Sequence, residues 1–270
     1  MERHLQSNIK GQDHIIPRTC SVLQRGELGL AHPDRPKGSF LYVGPTGVGK
    51  TELTICFTDY LFGSGYLHRF DMSEFQNQYS VGLLLGAAPS ENGMLGRALD
   101  QHGEGTLLFD ELEKAHPLVL DLFLQVLDAG RITLANGETK SLKDYYVVFT
   151  SNIGASEAMR MENSAFSTIE RTVLRRVDQA LRPELVARIN DKLVFNRLTY
   201  EVQRDICELM IERERERLAT MGHSLSITPD IIEQLVRAGY HRTLGARPMR
   251  NTVDRFLQQT IASGLLDSSA

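Results

Sequence analysis

The chain has 270 residues, of which 41% are hydrophobic and 24% charged, and its net charge is -4. This balance suits one large globular domain or two smaller ones, and the acidic charge argues against a general nucleic-acid-binding protein. The three widely spaced cysteines argue against a disulfide framework and favour a reducing cytoplasm, and no apolar run reaches the ~18 residues of a membrane span.

Short apolar strands alternate with helices over the first two thirds of the chain. A helix is predicted first, over residues 12–30. The predicted strands are residues 40–43, 67–71, 106–109 and 145–150. The predicted helices among them are residues 50–61, 80–86, 94–102 and 117–127. This alternation predicts an α/β fold, with a parallel sheet that is covered by helices on both faces.

Beyond Phe195 the strand signals stop. A long charged helix is predicted over residues 200–221, and two further helices over 229–238 and 246–264. Residues 212–217 alternate Glu and Arg, so we expect a solvated face with i,i+3 ion pairs. The change in pattern predicts two domains, an α/β nucleotide-binding domain over residues 1–196 and a small helical lid over 197–270.

A glycine-rich loop at residues 44–51 matches G-x-x-x-x-G-K-[ST] between a predicted strand and a predicted helix. In such a loop backbone N–H groups turn towards an anion, and the helix N-terminus adds partial positive charge. We expect Lys50 to reach the β- and γ-phosphates and the Thr51 hydroxyl to bind magnesium. The sequence thus predicts a site for ATP and Mg²⁺ at Pro45, Thr46, Gly47, Val48, Gly49, Lys50 and Thr51.

An acidic pair, Asp110 and Glu111, closes the predicted strand 106–109. The carboxyl ends of parallel strands line the ligand crevice. We therefore expect Asp110 to hold magnesium and Glu111 to act as the general base for water. The alternative is an ordinary acid pair at a helix start.

With both motifs placed, the chain resembles the AAA+ ATPase module of the Clp unfoldases and disaggregases, most closely the second ring of two-ring members. The resemblance runs from about residue 11 to about 260. It is carried by residues 35–41, 44–53, 71–74, 110–117, 124–128, 150–152, 182–185 and 245–248. It implies a homo-oligomer, by family expectation a hexameric ring, that acts on a protein substrate or partner.

The resemblance assigns five further residues. It implies that Asn152 orients the attacking water and that Arg188 reaches the nucleotide of the neighbouring subunit as an arginine finger. It also implies that Arg247 contacts the nucleotide in its own chain, and that Ile9 and Lys10 wall the adenine. The alternatives are a turn residue for Asn152, a surface arginine near a helix end for Arg188, an arginine near a helix start for Arg247, and ordinary core for Ile9.

The sequence departs from the family at three places. Residues 90–94 replace a longer loop that carries an aromatic residue, so efficient threading of polypeptide is not expected. Residues 155–172 contain no Ile-Gly-Phe or Ile-Gly-Leu tripeptide, so docking to a peptidase is not expected. Residues 263–270 stop short of the family's final strand, and the chain is either a reduced member or a fragment of something larger.

Three functions are compatible with these motifs. The first is an ATP-driven protein remodeller that cleaves ATP at subunit interfaces. The second is an ATP-dependent assembly or switch module that binds a protein partner without threading it, which the shortened loop favours. The third is a nucleic-acid motor, which the acidic charge and the lack of basic–aromatic interleaving disfavour.

Overall fold

The computed structural model describes residues 1–161, 163–262 and 267–268. The strands, in chain order, are β1 (Gly38–Val43), β2 (Leu67–Asp71), β3 (Gly105–Asp110), β4 (Arg131–Thr133), β5 (Thr139–Ser141), β6 (Tyr145–Ser151), β7 (Asp191–Val194), β8 (His223–Ser224) and β9 (Asp267–Ser268). Five of them form one parallel sheet in the order β2-β3-β6-β1-β7, while β4 and β5 form a separate antiparallel hairpin. All five carboxyl ends of the parallel sheet therefore meet at one edge.

The helices surround this sheet and continue into the C-terminal part. In chain order they are α1 (Glu2–Asn8), α2 (Ile16–Glu27), α3 (Lys50–Phe62), α4 (Ser80–Leu85), α5 (Gly93–Gln101), α6 (Pro117–Ala129), α7 (Ala155–Arg160), α8 (Phe166–Ala180), α9 (Pro183–Arg188), α10 (Tyr200–Thr220), α11 (Pro229–Gly239) and α12 (Arg247–Ala262). Among the described residues, no helix is both long and apolar enough to cross a bilayer.

Two hydrophobic cores cover the two faces of the sheet. Because successive strand residues point to opposite faces, Phe40 and Tyr42 of β1 enter one core while Leu41 and Val43 enter the other. The first core is filled from α1, α2 and α3, and the second from α5, α6, α8 and α9. This arrangement of a parallel sheet between two helical layers confirms the predicted fold class.

A third core lies in the C-terminal helices. It is formed by buried residues of α10, α11 and α12 and of the segment between α10 and α11, namely Cys207, Ile211, Leu218, Leu225, Ile227, Leu235, Val236, Met249, Val253 and Leu257. None of these residues belongs to the two cores of the sheet. The C-terminal helices thus pack around an apolar centre of their own.

Helix α2 is shorter than the helix predicted over residues 12–30. It begins at Ile16 rather than residue 12 and ends at Glu27, with Pro17 in its first turn and Gly29 just beyond its end at φ +67°. Helices α1, α7, α8 and α9 and strands β4, β5, β7 and β8 were not predicted. Strand β7 has only four residues and a charged beginning, so its apolar signal is too short to stand out from a loop.

The expectation of a missing final strand was wrong. Asp267–Ser268 pairs antiparallel with His223–Ser224, so that a short strand does follow the last helix. Residues 263 and 264, the predicted end of that helix, lie outside the described residues. The sequence did not indicate this strand because two paired residues are too few to show an alternating hydrophobic pattern.

Candidate nucleotide-binding site

A cavity of about 610 Å³ opens at the carboxyl edge of the sheet and extends to the C-terminal helices. Among its lining residues are most of the predicted ones: Ile9, Lys10, Thr46, Gly47, Val48, Gly49, Lys50, Thr51, Asp110, Glu111, Asn152 and Arg247. Pro45 and Arg188 are not among the lining residues, although the Pro45 carbonyl accepts a hydrogen bond from Lys50. Segments that are far apart in sequence therefore meet around one space large enough for a nucleotide.

The loop at residues 44–51 joins β1 to α3 and keeps a left-handed backbone at Gly47 (φ +74°) and Gly49 (φ +104°). Gly49 is the N-cap of α3, so the loop ends at the positive end of a helix dipole. The Lys50 ammonium donates to the carbonyl oxygens of Gly44 at 2.5 Å and Pro45 at 2.9 Å. The ammonium is thus held by two carbonyl oxygens of the loop, close to the helix N-terminus, which is the end of the helix that favours an anion.

Burial lowers the pKa of Lys50 to about 8, against the opposing pull of Asp110, Glu113 and Glu111. The side chain is almost completely enclosed. A polyanion beside the ammonium would favour its charged form. The electrostatics of the site therefore suit a ligand that brings negative charge to Lys50.

Both acidic residues at the end of β3 are held by Thr150 of β6. Its hydroxyl donates to Asp110 Oδ1 and accepts from the backbone N–H of Glu111 at 3.0 Å. The parallel register explains this, because Phe109 pairs with Phe149 and Asp110 comes next to Thr150. Asp110 Oδ2 accepts from Arg69, a cavity-lining arginine that sequence reasoning missed.

Glu111 adopts φ +60°, and among the described residues it is the only non-glycine with a positive φ. Such a conformation costs of order 1–3 kcal/mol and is concentrated at functional sites. Its carboxylate accepts from Asn152 Nδ2 at 3.1 Å and pairs with Lys114. The carboxylate is thereby held between Asn152 and Lys114 at the end of β3.

Asn152 links that loop to the acidic strand end. Its Oδ1 accepts from Lys50 Nζ at 2.9 Å, while its Nδ2 donates to Glu111. Its backbone N–H donates to Glu113 Oε1 at 3.0 Å, which fixes the start of the turn after β6. One amide therefore contacts both the predicted phosphate-binding cation and the predicted general base.

The donor set of the site fits magnesium. Mg²⁺ prefers oxygen ligands and commonly takes one or two carboxylates together with phosphates and water. The Thr51 hydroxyl and the Asp110 carboxylate both line the cavity beside Lys50. Among the described residues, no cluster of three or more His, Cys, Asp and Glu could hold a metal alone, so the remaining ligands would come from phosphate and water.

The N-terminal segment is fastened to the loop by Gln12, which sequence reasoning also missed. Its side chain is fully buried and donates to the carbonyl oxygens of Val48 at 3.2 Å and Asn196 at 2.9 Å. It also accepts from the backbone N–H of Asn196 at 2.9 Å. These bonds place Ile9 and Lys10, three and two residues earlier, against the cavity.

The C-terminal helices touch the loop directly. The N–H of Ala246 donates to the Gly47 carbonyl at 2.9 Å, immediately before Arg247 at the start of α12. Glu52, in the first turn of α3, pairs with Arg213 at 2.8 Å and Arg250 at 3.2 Å. These two ion pairs connect α3, the helix that follows the glycine-rich loop, to α10 and α12.

The charged run of α10 thus has two roles. Arg215 and Arg217 form the predicted i,i+3 pairs with Glu212 and Glu214. Arg213 is also exposed, but its guanidinium reaches other elements: it pairs with Glu52 of α3 and donates to Asn8 Oδ1 at 2.8 Å. The run is thus a solvated face as predicted, and Arg213 additionally connects it to the first part of the chain.

Arg188 is the last residue of α9 and contacts α6 instead of the cavity. Its Nε donates to Asp128 Oδ2 at 2.5 Å, and its Nη1 donates to the Glu184 carbonyl at 2.8 Å. The side chain is 30% exposed. The structure therefore brings twelve of the predicted residues to one cavity and leaves Arg188 on another surface of the chain.

Known proteins match both halves of the chain. A family described as AAA domain (Cdc48 subfamily) matches residues 35–192, and the C-terminal, D2-small domain of ClpB protein matches residues 198–270. The chaperone protein ClpB of Rhodopirellula baltica is 38% identical over the whole chain, and that of Aquifex aeolicus 36% identical over 98% of it. A ClpA homologue of Porphyra purpurea is 36% identical over 98%.

The chain spans only 31%, 28% and 35% of these three relatives, respectively. Among solved structures, a Saccharomyces cerevisiae Hsp104–ADP complex superposes with a TM-score of 0.88 at 33% identity. A closed Hsp104 state with ATPγS and casein superposes with a TM-score of 0.87 at 33% identity. This chain is covered to 98% in both, and those chains to 48% and 47%.

Proposed function

The chain belongs to the AAA+ ATPases as a Clp-type module, and we propose that it is an ATP-hydrolysing protein remodeller that works as an oligomeric ring. One observation carries the proposal: the cavity gathers Lys50, Asp110, Glu111 and Asn152 around one space, while Arg188 lies elsewhere. Such a division is what a site completed by a neighbouring subunit requires.

The roles in catalysis follow from the contacts. Lys50 would bind the β- and γ-phosphates, and Thr51 and Asp110 would hold Mg²⁺, which would neutralise charge on the phosphates. Glu111 accepts the proton of the attacking water, and Asn152 orients that water because its amide lies against both Glu111 and Lys50. Pro45, Thr46, Gly47, Val48 and Gly49 supply the backbone of the phosphate cradle.

The division into domains follows the three cores. We place the nucleotide-binding domain at residues 1–196 and the lid at residues 197–270, which is supported by the separate core of the last helices. Ile9 and Lys10 wall the base from the first domain. Arg247 contacts the nucleotide from the lid, and the bond from Ala246 to Gly47 transmits changes in the loop to α12.

Completion of the site in trans makes oligomerisation part of catalysis. Arg188 would supply a guanidinium to the γ-phosphate of the adjacent subunit, an effect on the order of 10³-fold or more on turnover. We propose a homo-oligomeric ring of six subunits. The Hsp104 complexes that contain casein support a protein as the substrate class, and the three free, buried cysteines fit the reducing cytoplasm.

Remodelling by this chain does not use an aromatic grip at the expected loop. Residues 86–93 close on themselves: a Cβ at Gly93 would lie 2.3 Å from the Gly86 nitrogen, and Glu91 Oε2 accepts from the Ala87 N–H at 3.2 Å. The relatives nevertheless favour a remodeller over the switch module. We expect reshaping of proteins to be stronger than their processive threading, without docking to a peptidase.

ATPase rate against protein concentration tests the proposal. The wild type should show cooperative activation as subunits assemble, and Arg188→Ala should lose it at unchanged nucleotide affinity. Glu111→Gln should retain ATP without hydrolysis. Turnover that is independent of concentration and insensitive to Arg188→Ala would refute cleavage between subunits.

The substrate class is tested in parallel. Unfolded casein should stimulate the ATPase, and single-stranded DNA should not. A salt-sensitive stimulation by DNA alone would instead indicate a nucleic-acid motor. ATP-dependent ring formation without any change in a folded reporter protein would indicate the switch module.

A further inference from the structure

The guanidinium of Arg188 is held from one side only. Its Nε donates to Asp128 and its Nη1 to the Glu184 carbonyl, whereas its Nη2 has no hydrogen-bond partner in the described part of the chain. Two of its nitrogens are thus anchored within the subunit. The third keeps its N–H groups available for an anion outside it.

Asp128 stands at an unfavourable place for a carboxylate. It lies in the last turn of α6, where the helix dipole disfavours negative charge. Two arginines offset this, because Arg188 occupies Oδ2 and Arg35 approaches Oδ1 with its Nη2 at 3.6 Å. With an arginine on each oxygen, the plane of the carboxylate is restrained.

Stability is a poor explanation for this contact. Asp128 is 41% exposed, and exposed ion pairs contribute little free energy of folding. The short helix α9 is already attached to the core by Leu185 and Val186, which are buried. The main consequence of the Asp128 contact is therefore the direction of the Arg188 side chain.

The same two helices carry a second pair that serves as an internal comparison. Asp121, two turns earlier on α6, accepts from Arg182 Nη1 at 2.5 Å, and Arg182 Nη2 donates to the Pro117 carbonyl at 3.1 Å. This pair lies at the beginning of α9, and the Asp128 pair lies at its end. The two aspartates have similar exposure and similar partners, but only Asp128 contacts Arg188.

We propose that Asp128 is a positioning residue for catalysis: it aims the free Nη2 edge of Arg188 at the nucleotide of the adjacent subunit, and Arg35 orients Asp128 in turn. This inference rests on the proposed action of Arg188 between subunits. Loss of Asp128 should leave the chain's own nucleotide site intact and impair the site of its neighbour.

Mixed rings test this directly. Glu111→Gln chains have an inactive site but an intact Arg188, and Arg188→Ala chains have the reverse. When the two are mixed, about a quarter of the interfaces should combine an intact site with an intact arginine and regain activity. Asp128→Ala mixed with Glu111→Gln should regain activity in the same way, whereas Asp128→Ala mixed with Arg188→Ala should not.

The kinetics of the unmixed Asp128→Ala variant give an independent readout. A misplaced arginine should lower kcat between about 10-fold and 100-fold, with KM and the affinity for nucleotide unchanged. Asp121→Ala is the matched control and should keep near wild-type kcat. Circular dichroism and melting temperature should be the same for both variants.

The outcomes separate the two ideas. Recovery of Arg188→Ala but not of Asp128→Ala by Glu111→Gln would overturn the role of Asp128 and keep cleavage between subunits. No recovery of either variant would overturn both. Equal losses of kcat in Asp121→Ala and Asp128→Ala would show that the contact between Asp128 and Arg188 only holds α9 in place. That result would overturn the inference.

Discussion

The contact between the glycine-rich loop and the C-terminal helices can be measured by adding one methyl group at Gly245. Its Cβ would lie 2.4 Å from the Gly47 carbonyl oxygen and 2.7 Å from the carbonyl carbon. Both neighbours are backbone atoms, which cannot rotate away. The turn before α12 must therefore move about 1 Å from the loop to reach ordinary contact distance.

The substitution Gly245→Ala has two energetic costs, one from the backbone conformation and one from the movement. The left-handed backbone at φ +59° costs an alanine roughly 1–2 kcal/mol. Separation also weakens the hydrogen bond from Ala246 to Gly47, worth about 0.5–1.5 kcal/mol. We expect Gly245→Ala to lower the free energy of unfolding by about 1.5–3.5 kcal/mol, the sum of these two costs.

Gly29→Ala is the matched control, because Gly29 has φ +67° and no heavy atom within 4 Å of the added Cβ. It pays the backbone cost without the collision. Urea unfolding without nucleotide measures both variants, and a fluorescent ATP analogue measures binding, which should weaken about tenfold only in Gly245→Ala, for a loss near 1.4 kcal/mol. Equal stability losses and equal affinities in the two variants would refute a mechanical contact at this position.

Three further predictions concern the interior of the site. Burial lowers the pKa of Lys50 to about 8, so at pH 8 about half of the Lys50 side chains are neutral before nucleotide binds. Because a triphosphate favours the charged form, binding should take up about half a proton at pH 8 and almost none below pH 7. Calorimetry in buffers of different ionisation enthalpy measures this uptake, and release of protons would contradict the prediction. Thr150→Val removes the hydroxyl that joins Asp110 to Glu111 and leaves a backbone N–H unpaired, so the free energy of unfolding should fall by about 1–3 kcal/mol, a result incompatible with an unchanged urea midpoint. Gln12→Leu keeps the volume but removes three hydrogen bonds to backbone groups, so both stability and nucleotide affinity should fall; a variant with wild-type binding would show that the N-terminal segment is held in another way.

The parts of the site that are local in sequence could be predicted. Residues 44–51 carry the loop, its cation and its helix within one motif, and Asp110 and Glu111 end an apolar strand. Thr150 could not be assigned in this way. Its contact with both acidic residues depends on the register of β3 against β6, and register is a property of the assembled sheet.

The missed residues share one cause. Arg213 belongs to a run that is typical of a solvated helix, and its partner Glu52 is 161 positions away. Gln12 follows a glycine as many turn residues do, and nothing local shows that it is fully buried. Asp128 matches a family motif, but its contact with Arg188 appears only when α6 and α9 pack together. Each of these roles is defined by a partner that is distant along the chain.

The crossing contacts also bear on how such chains could recombine in evolution. The Gly47 carbonyl and the Glu52 carboxylate lie in the first half of the chain, but their partners Ala246, Arg213 and Arg250 lie in the second. A chimera that joined this first half to the C-terminal half of a divergent paralogue would inherit an unmatched carboxylate unless both arginines came with it. Exchange of halves should therefore preserve the contacts between the loop, α3 and the C-terminal helices only between chains that share this charge pattern.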